Sequence, residues 1–307
     1  MLIKSEGYMS VKLLFLETRP QFLILSPILV FLGMSVALYG GHFDLTAFLL
    51  AIVGLVLLHA SVDCLNDYSD FNTGIDLKVN RTPFSGGSGL IPSGAITPKT
   101  ALWLGLITFF LAVPIGIYFV ATRGLYLLPI FVVGAVFVLW YTTHLTKIGG
   151  GAAEIAAGLG LGTLPVFGTY LIMAGKFSWP ALYAAVPSGF LVFNLLHLNE
   201  FPDADADRTA NRRTIPILYG HRVAGIVYTT LIILTYLWVV VGAITHLMPV
   251  WCLLCLLTLP IGIKAMRGSL TFKSFQELIP AQGANVMIVL LIQLLIGVGY
   301  LIAYFAR

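Results

Sequence analysis

Two short polar stretches of this chain place carboxylates, amides and basic residues at matching spacings. Residues 65–82 read LNDYSDFNTGIDLKVNRT, and residues 198–214 read LNEFPDADADRTANRRT. Both contain the pattern Asn-acid-x-x-Asp, at Asn66-Asp67-x-x-Asp70 and at Asn199-Glu200-x-x-Asp203. A second Asp and a basic segment follow in each stretch. A polar pattern that occurs twice in an otherwise apolar chain indicates a site built from two halves.

The carboxylates of these stretches suit a divalent cation. Seven of the 13 acidic residues lie there, namely Asp67, Asp70, Asp76, Glu200, Asp203, Asp205 and Asp207. Clustered carboxylates repel one another unless a cation lies between them. Residues four apart share a helix face, which groups Asn66 with Asp70, and Asn199 with Asp203 and Asp207. Oxygen ligands on two sides favour Mg²⁺ bridged to phosphate, so these five residues are the predicted metal ligands.

Basic residues in and near the same stretches suit a diphosphate. They are Lys78, Arg81, Lys147, Arg208, Arg212 and Arg213. Guanidinium groups match phosphate oxygens in bidentate pairs. Residues 83–94 read PFSGGSGLIPSG and can offer backbone N–H groups to an anion, which is a weak signal by itself. Carboxylates, basic side chains and an implied metal together predict a diphosphate site.

The elements that position these residues are membrane helices. The chain has 307 residues, of which 59% are hydrophobic and 10% charged, whereas soluble domains have about 25% charged residues. A spanning helix needs about 20 mostly apolar residues. The apolar runs predict nine spans, at 21–40, 44–66, 100–121, 124–143, 151–175, 178–199, 223–246, 248–265 and 284–306. We therefore expect one all-α membrane domain over residues 1–307, with an interfacial segment at 1–20.

Nine spans also predict the orientation. All but three of the 17 Lys and Arg residues, Arg123, Lys176 and Arg307, fall on one side, which the positive-inside rule assigns to the cytoplasm. Both polar stretches lie on that side, as cytoplasmic loops at 67–99 and 200–222. Four spans separate them, which indicates two parallel repeats of four helices plus one further helix. The expected location is the cell membrane, with the site facing the cytoplasm.

These motifs resemble those of the UbiA superfamily of intramembrane prenyltransferases, which carry Asp-rich motifs after the second and sixth of nine helices. The resemblance covers the whole chain. NDYSDFNTGID answers the first motif and DADAD the second, although Asp76 lies later than the family spacing. TRPQFLILSPI resembles the family's Arg-Pro opening and places Arg19 at the site, and YTTHLTK supplies Tyr141 and Lys147. Within the superfamily the motifs look most like the menaquinone branch, although KVNRTPFSGGSG departs from it.

The resemblance implies Mg²⁺-dependent transfer of a polyprenyl group from its diphosphate to an aromatic acceptor, 1,4-dihydroxy-2-naphthoate. Two Mg²⁺ ions would be held by the predicted metal ligands. The diphosphate would contact Arg19, Asn66, Lys78, Arg81, Lys147, Arg208 and Arg213. The catalytic set would be Asp67, Asp70, Asp203, Asp207, Arg81, Lys147 and Tyr141. Asp67 or Glu200 would position or deprotonate the acceptor.

Other interpretations stay open at this point. The acceptor could be haem or a glycerol phosphate ether lipid, and intramembrane carboxylates in repeats also serve ion-coupled transporters. The expected partners are the donor, the acceptor and the bilayer, without nucleic acid. Prenyl chain length and oligomeric state stay open. Cys252 and Cys255 form a CxxC inside an apolar span, which indicates packing, and His197 shows no metal-ligand spacing.

Overall fold

The computed structural model of the chain describes residues 10–79 and 81–307. Within these ranges, nine helical segments are long and apolar enough to cross a membrane. We label them α1–α9: Pro20–Tyr39, Leu45–Thr73, Pro98–Arg123, Leu125–Ile148, Ala152–Ala174, Trp179–Asn199, Ile215–Ile244, Val250–Thr271 and Phe275–Phe305. The predicted all-α membrane fold and its nine spans are confirmed. Residues 1–9 of the expected interfacial segment, and Asn80 in the first polar stretch, lie outside the described residues.

Several predicted helix boundaries were wrong. Helices α4 and α8 end at Ile148 and Thr271, beyond the predicted ends at 143 and 265. Helix α2 runs on to Thr73, so Asp67 and Asp70 belong to a helix and the first loop begins later than 67. Helix α7 begins at Ile215, inside the predicted loop 200–222, and α9 begins at Phe275. Polar and charged residues at these ends obscured the helices in the hydropathy pattern, because helices that extend beyond the bilayer no longer need apolar side chains.

A short helix, Val11–Glu17, precedes α1 and leaves the apolar side chains of Val11 and Phe15 exposed. Arg19 separates this helix from α1 with a left-handed backbone, φ 51°. A non-glycine residue with positive φ is uncommon, and this one turns the chain sharply into the bundle. Within residues 10–79 and 81–307, Arg19 is also the first residue along the chain that lines the cavity described below.

Spans that are consecutive in the chain contact one another, and α9 closes the bundle against α1. Helix α2 lies along α3, α6 contacts α5 and α7, and α9 contacts α1, α6 and α8. Small residues allow close approaches in a lipid environment. Ser61 Oγ of α2 donates a hydrogen bond of 2.8 Å to the Gly105 carbonyl of α3. A Cβ on Gly105 would lie 2.8 Å from Leu65, directly before the first polar pattern.

A fully buried polar ring joins α6, α7 and α9. Asn194 Nδ2 donates to the Tyr228 carbonyl, Tyr228 O–H donates to Asn285 Oδ1, and Asn285 Nδ2 donates to the Asn194 carbonyl, each at 3.0 Å. All three side chains are buried. Each polar group would be costly in lipid without its partner, so the ring fixes the register of these three helices.

Candidate active site

A cavity of about 240 Å³ opens among α2, α4, α5 and α6 beneath the two polar stretches. Its mouth is polar and its depth is apolar. The polar wall comprises Arg19, His59, Asp63, Asn66, Asp70, Asp76, Ser85, Tyr141, Thr146, Asn199, Glu200, Asp203, Asp207, Arg212 and Thr214. The apolar wall includes Leu55, Leu58, Val62, Phe137, Leu161, Val192 and Leu195. One continuous volume can therefore hold a charged head group and an apolar tail.

The first motif reaches this wall from the last turns of α2. Asn66 Nδ2 donates to Asp70 Oδ2 at 3.0 Å, as expected for residues four apart on a helix. Thr142 Oγ1 donates to Asn66 Oδ1 at 2.9 Å. Thr142 belongs to a π-helical turn, Tyr141–Leu145, within α4, and such turns are frequent at functional sites. Thr142 thus orients the amide of Asn66.

The second motif lies on a turn and a short helix, and the predicted continuous helix was wrong here. Helix α6 ends at Asn199, and a separate helix, Ala204–Arg208, follows Asp203. Asn199, Asp203 and Asp207 nevertheless all line the cavity. The turn keeps the three carboxylate and amide groups together although the backbone leaves the α6 axis.

The carboxylate of Asp203 is suited to binding a cation. Its Oδ1 is buried and has no hydrogen-bond partner among the residues that the structure describes. Burial, and then the charges of Asp207 and Asp70, raise the pKa of Asp203 well above its ordinary value. An unpartnered buried carboxylate oxygen, beside other carboxylate and amide oxygens, matches the donor set that Mg²⁺ prefers. The two motifs therefore meet in a place that suits Mg²⁺.

Arg212 joins the two motifs. Its guanidinium forms an ion pair with Asp70, and its Nη1 donates to Asp207 Oδ1 at 2.9 Å. Its side chain is only 10% exposed. The sequence grouped Arg212 with the other basic residues but omitted it from the diphosphate contacts. Among the three consecutive polar residues 211–213, spacing did not show which one faces inward.

Most of the other predicted basic residues lie away from the cavity wall. Arg19 lines it, but Lys78, Arg81, Lys147, Arg208 and Arg213 do not. Lys78 Nζ donates to Thr209 Oγ1 at 3.3 Å, and Arg81 Nε donates to the Gly86 carbonyl at 2.9 Å. These contacts tie the two stretches together and fold the loop after α2. Of the arginines that the sequence analysis named, Arg19 and Arg212 line the cavity.

Arg19 is held loosely at the mouth. Its Nη1 lies 4.0 Å from Asp63 Oδ1, and its guanidinium carbon lies 4.7 Å from the centre of the Phe22 ring. Its buried Nε has no hydrogen-bond partner within the described part of the chain. A guanidinium with long contacts and an unused donor is available to bind an anion in the cavity.

Asp67 faces the loop and not the cavity, contrary to its predicted contact with the acceptor. Its Oδ2 accepts from the Ser88 N–H at 2.7 Å, and Ser88 Oγ donates to Glu17 Oε2 at 2.7 Å. Burial, and then the charge of Asp67, raise the pKa of Glu17 to about 8. Asp67 and Glu17 together fasten the glycine-rich loop, whose residues Ser85, Gly86 and Gly87 reach the cavity wall.

Comparison with protein families gives one match across most of the chain. The sequence profile of the UbiA prenyltransferase family matches residues 24–277. Among curated relatives, 1,4-dihydroxy-2-naphthoate octaprenyltransferase of Bacillus subtilis is 27% identical over 293 residues, which are 94% of this chain and 92% of the relative. The enzyme of the same name from Escherichia coli is 25% identical, over 81% of this chain and 82% of the relative.

Solved structures share the fold. The apo structure of a UbiA homolog from Aeropyrum pernix has a TM-score of 0.68 and 18% identity, and the match covers 92% of this chain and 97% of that chain. A UbiA homolog from Archaeoglobus fulgidus bound to GPP and Mg²⁺ has a TM-score of 0.59 and 12% identity, with 92% and 99% covered.

Proposed function

The chain belongs to the UbiA prenyltransferase family, and on this premise we propose that it transfers a polyprenyl group from a polyprenyl diphosphate to 1,4-dihydroxy-2-naphthoate. The observation that carries the proposal is the single cavity with a carboxylate-rich, arginine-bearing mouth and an apolar depth. The relatives named for this acceptor support its identity. The proposed site faces the cytoplasm, because the basic residues concentrate on that side of the membrane.

The donor fits the two halves of the cavity. Its diphosphate would lie between the two motifs, with Arg19 and Arg212 as the nearest guanidinium groups. Its prenyl tail would follow the apolar wall between α2 and α4, past Val62 and Phe137. Apolar burial contributes about 25 cal/mol per Å², so the tail adds affinity that diphosphate alone lacks. Lys78, Arg81, Lys147, Arg208 and Arg213 would act from outside the wall, through the surrounding field.

The residues present also fit Mg²⁺. Asn66, Asp70, Asp203 and Asp207, with Asn199 nearby, offer oxygen donors from both motifs, and Asp203 Oδ1 has no hydrogen-bond partner among the described residues. We propose that they hold two ions, which supply positive charge to the diphosphate oxygens when bound. The homolog bound to GPP and Mg²⁺ supports Mg²⁺ as the ion that accompanies a prenyl diphosphate. Thr142 keeps the Asn66 amide in place.

Positive charge at the mouth of the cavity favours departure of the diphosphate. The bond between the allylic C1 and the diphosphate oxygen breaks, and its electron pair leaves with the diphosphate. Arg19 and Arg212 stabilise the leaving oxygens. The electron-rich ring of the acceptor then supplies the pair for the new C–C bond. Aromaticity returns when the substituted ring carbon loses its proton, or its carboxyl group as carbon dioxide. Tyr141 lines the cavity and offers an aromatic face to the developing cation.

The decisive experiment uses purified protein in detergent, a labelled polyprenyl diphosphate and 1,4-dihydroxy-2-naphthoate, with Mg²⁺ or with EDTA. We expect a prenylated naphthoquinol and pyrophosphate only with Mg²⁺. Asp203→Asn should abolish product formation. Asp205→Asn alters an exposed carboxylate on the short helix that follows Asp203, and it should leave product formation unchanged.

The acceptor is tested separately from the donor. Haem and a glycerol phosphate ether lipid would be supplied in place of the naphthoate. Product with either, and none with the naphthoate, would overturn the acceptor but keep prenyl transfer. Absence of Mg²⁺-dependent binding of the diphosphate itself would overturn the proposed donor site and favour ion transport.

A further inference from the structure

Three buried side chains converge at the second motif, and one of them, Glu200, belongs to that motif and also lines the cavity. Glu154 lies in the first turn of α5, His197 near the end of α6, and Glu200 just beyond it. His197 Nδ1 lies 3.8 Å from Glu154 Oε1 and 3.9 Å from Glu200 Oε2. Glu154 and His197 are 0% exposed and Glu200 is 6% exposed. No metal-ligand spacing is visible in the sequence here, because the three residues come from two helices and a turn.

One nitrogen of the His197 imidazole makes a hydrogen bond to the backbone, and the other faces the two carboxylates. Its Nε2 lies 3.0 Å from the Ala224 carbonyl oxygen. A carbonyl only accepts hydrogen bonds, so Nε2 carries the hydrogen, and Nδ1 faces the two carboxylates. A histidine that binds a metal commonly donates its other N–H to a backbone carbonyl in this way. His197 is therefore oriented as a metal ligand would be.

Unpartnered atoms collect at the same point. Among residues 10–79 and 81–307, His197 Nδ1, Glu154 Oε2 and Glu200 Oε2 are each buried without a hydrogen-bond partner. Glu154 Oε1 accepts from the Ile215 N–H at 2.7 Å, so only one of its oxygens is satisfied. Buried polar atoms without partners are rare and costly. Three such atoms in one place suit a single species that interacts with all of them.

Distance and charge favour a divalent cation as that species. Hydrogen bonds from N–H to oxygen measure about 2.7–3.2 Å, so 3.8 and 3.9 Å are too long for direct bonds. Ligand atoms that share one ion at about 2.0–2.2 Å lie roughly 3–4 Å apart, and all three side chains bring ligand atoms within 4.8 Å of one another. Two carboxylates and a neutral imidazole also balance the charge of a divalent ion.

We propose that Glu154, His197 and Glu200 form a separate binding site for a divalent cation that accepts a nitrogen ligand, of the Mn²⁺ or Zn²⁺ class. Its donor set differs from the all-oxygen set of Asn66, Asp70, Asp203 and Asp207, since imidazole suits transition metals. The site joins α5, the end of α6 and the turn that precedes Asp203. It thereby fixes the second motif against the bundle, and it does not depend on the reaction proposed above.

The test loads purified full-length protein with Mn²⁺ and records pulsed electron paramagnetic resonance. We expect ¹⁴N modulation from His197, because the aspartate site offers only oxygen donors. Glu200→Gln, which keeps the shape of the side chain, should weaken Mn²⁺ binding at this site by about tenfold or more. His197→Gln should remove the ¹⁴N signal. Asp205→Asn changes an exposed carboxylate nearby and should retain both the Mn²⁺ binding and the ¹⁴N signal.

Failure here is distinguishable from failure of the proposed reaction. Asp203→Asn should lose prenyl transfer and keep the ¹⁴N signal. A wild-type protein that binds Mn²⁺ without ¹⁴N modulation, or whose ¹⁴N signal survives in His197→Gln, would overturn the cation site. The cluster would then hold a proton or a water molecule. The wild-type spectrum decides this even if a variant fails to fold.

Discussion

Arg212 forms an ion pair with Asp70, although 142 residues separate them in the chain. The same guanidinium donates to Asp207, so one side chain supplies positive charge to both motifs. Because the pair lies at the mouth of the cavity, Arg212 occupies the region that Mg²⁺ and a diphosphate would share. A divalent cation and Arg212 therefore neutralise the same carboxylates.

Arg212→Gln tests this relationship. Removing one partner of a buried ion pair typically costs about 3–5 kcal/mol, so we expect a lower unfolding temperature without metal. Added Mg²⁺ should restore more stability to the variant than to the wild type, because the freed carboxylates bind the ion more tightly. Thermal unfolding in detergent, with and without Mg²⁺, measures both effects. Arg222→Gln, at an exposed arginine in α7, is the matched control, and an equal loss there would contradict the assignment.

Thr142→Val tests how Asn66 is positioned. The change keeps the side-chain shape and removes the hydrogen bond to Asn66 Oδ1. Groups that orient metal ligands typically contribute about 10–100-fold to affinity, so we expect roughly tenfold weaker Mg²⁺ binding by calorimetry. Thr143→Val alters the exposed neighbour and should bind Mg²⁺ as the wild type does. Unchanged binding in Thr142→Val would mean that the amide is held by other contacts.

Glu17→Gln tests the fastening of the loop through pH. Burial, followed by the charge of Asp67, raises the pKa of Glu17 from 4.5 to about 8. The folded protein therefore keeps a proton that the unfolded chain has lost between these values, and its stability falls as pH rises. Glutamine resembles the protonated form and carries no such dependence. The unfolding temperature of the variant should match the wild type near pH 5 and exceed it near pH 8.

The control for this titration is Glu277→Gln, at an exposed carboxylate that accepts from the Lys273 N–H. Its difference from the wild type should not grow with pH. A constant difference between Glu17→Gln and the wild type from pH 5 to pH 8 would show that Glu17 is ionised in the folded state throughout.

Cys252→Ala tests whether the CxxC has a chemical role. Cys252 is fully buried, and its Sγ lies 3.7 Å from the Ile296 carbonyl oxygen. We expect a stability loss of about 1 kcal/mol and near-normal prenyl transfer, because both cysteines pack in the bundle away from the cavity. A large loss of turnover in a folded variant would assign chemistry to this pair.

The sequence predicted the nine helices and the two Asp-rich motifs because both signals are local. Hydropathy is summed over one span, and the Asn66–Asp70 pair follows from helix periodicity. The extension of α2 to Thr73 was missed because its last turns are polar. The resemblance to a family supplied Arg19 and Tyr141, both of which line the cavity.

The direction of individual side chains could not be predicted from spacing. Arg81, Lys147 and Arg213 lie at the same end of the bundle as the two motifs but outside the cavity wall, while Arg212 faces inward. Arg212 and Arg213 lie in the turn between the short helix Ala204–Arg208 and α7, where Asn211 has a left-handed backbone (φ 61°), so helix periodicity does not apply to them. The grouping of Glu154 with His197 likewise depends on how α5 packs against α6. Such contacts are tertiary, and a single sequence carries no periodic signal for them.

The buried ring of Asn194, Tyr228 and Asn285 has a consequence for how the protein is made. During synthesis, α6 and α7 leave the ribosome before α9, so two members of the ring enter the bilayer while Asn285 is still untranslated. Until the last helix arrives, the Tyr228 hydroxyl and the Asn194 carbonyl lack their final partner. The nascent bundle therefore exposes two unpartnered polar groups that only the C-terminal helix satisfies. Membrane quality control could distinguish a finished chain from a truncated one by these exposed groups.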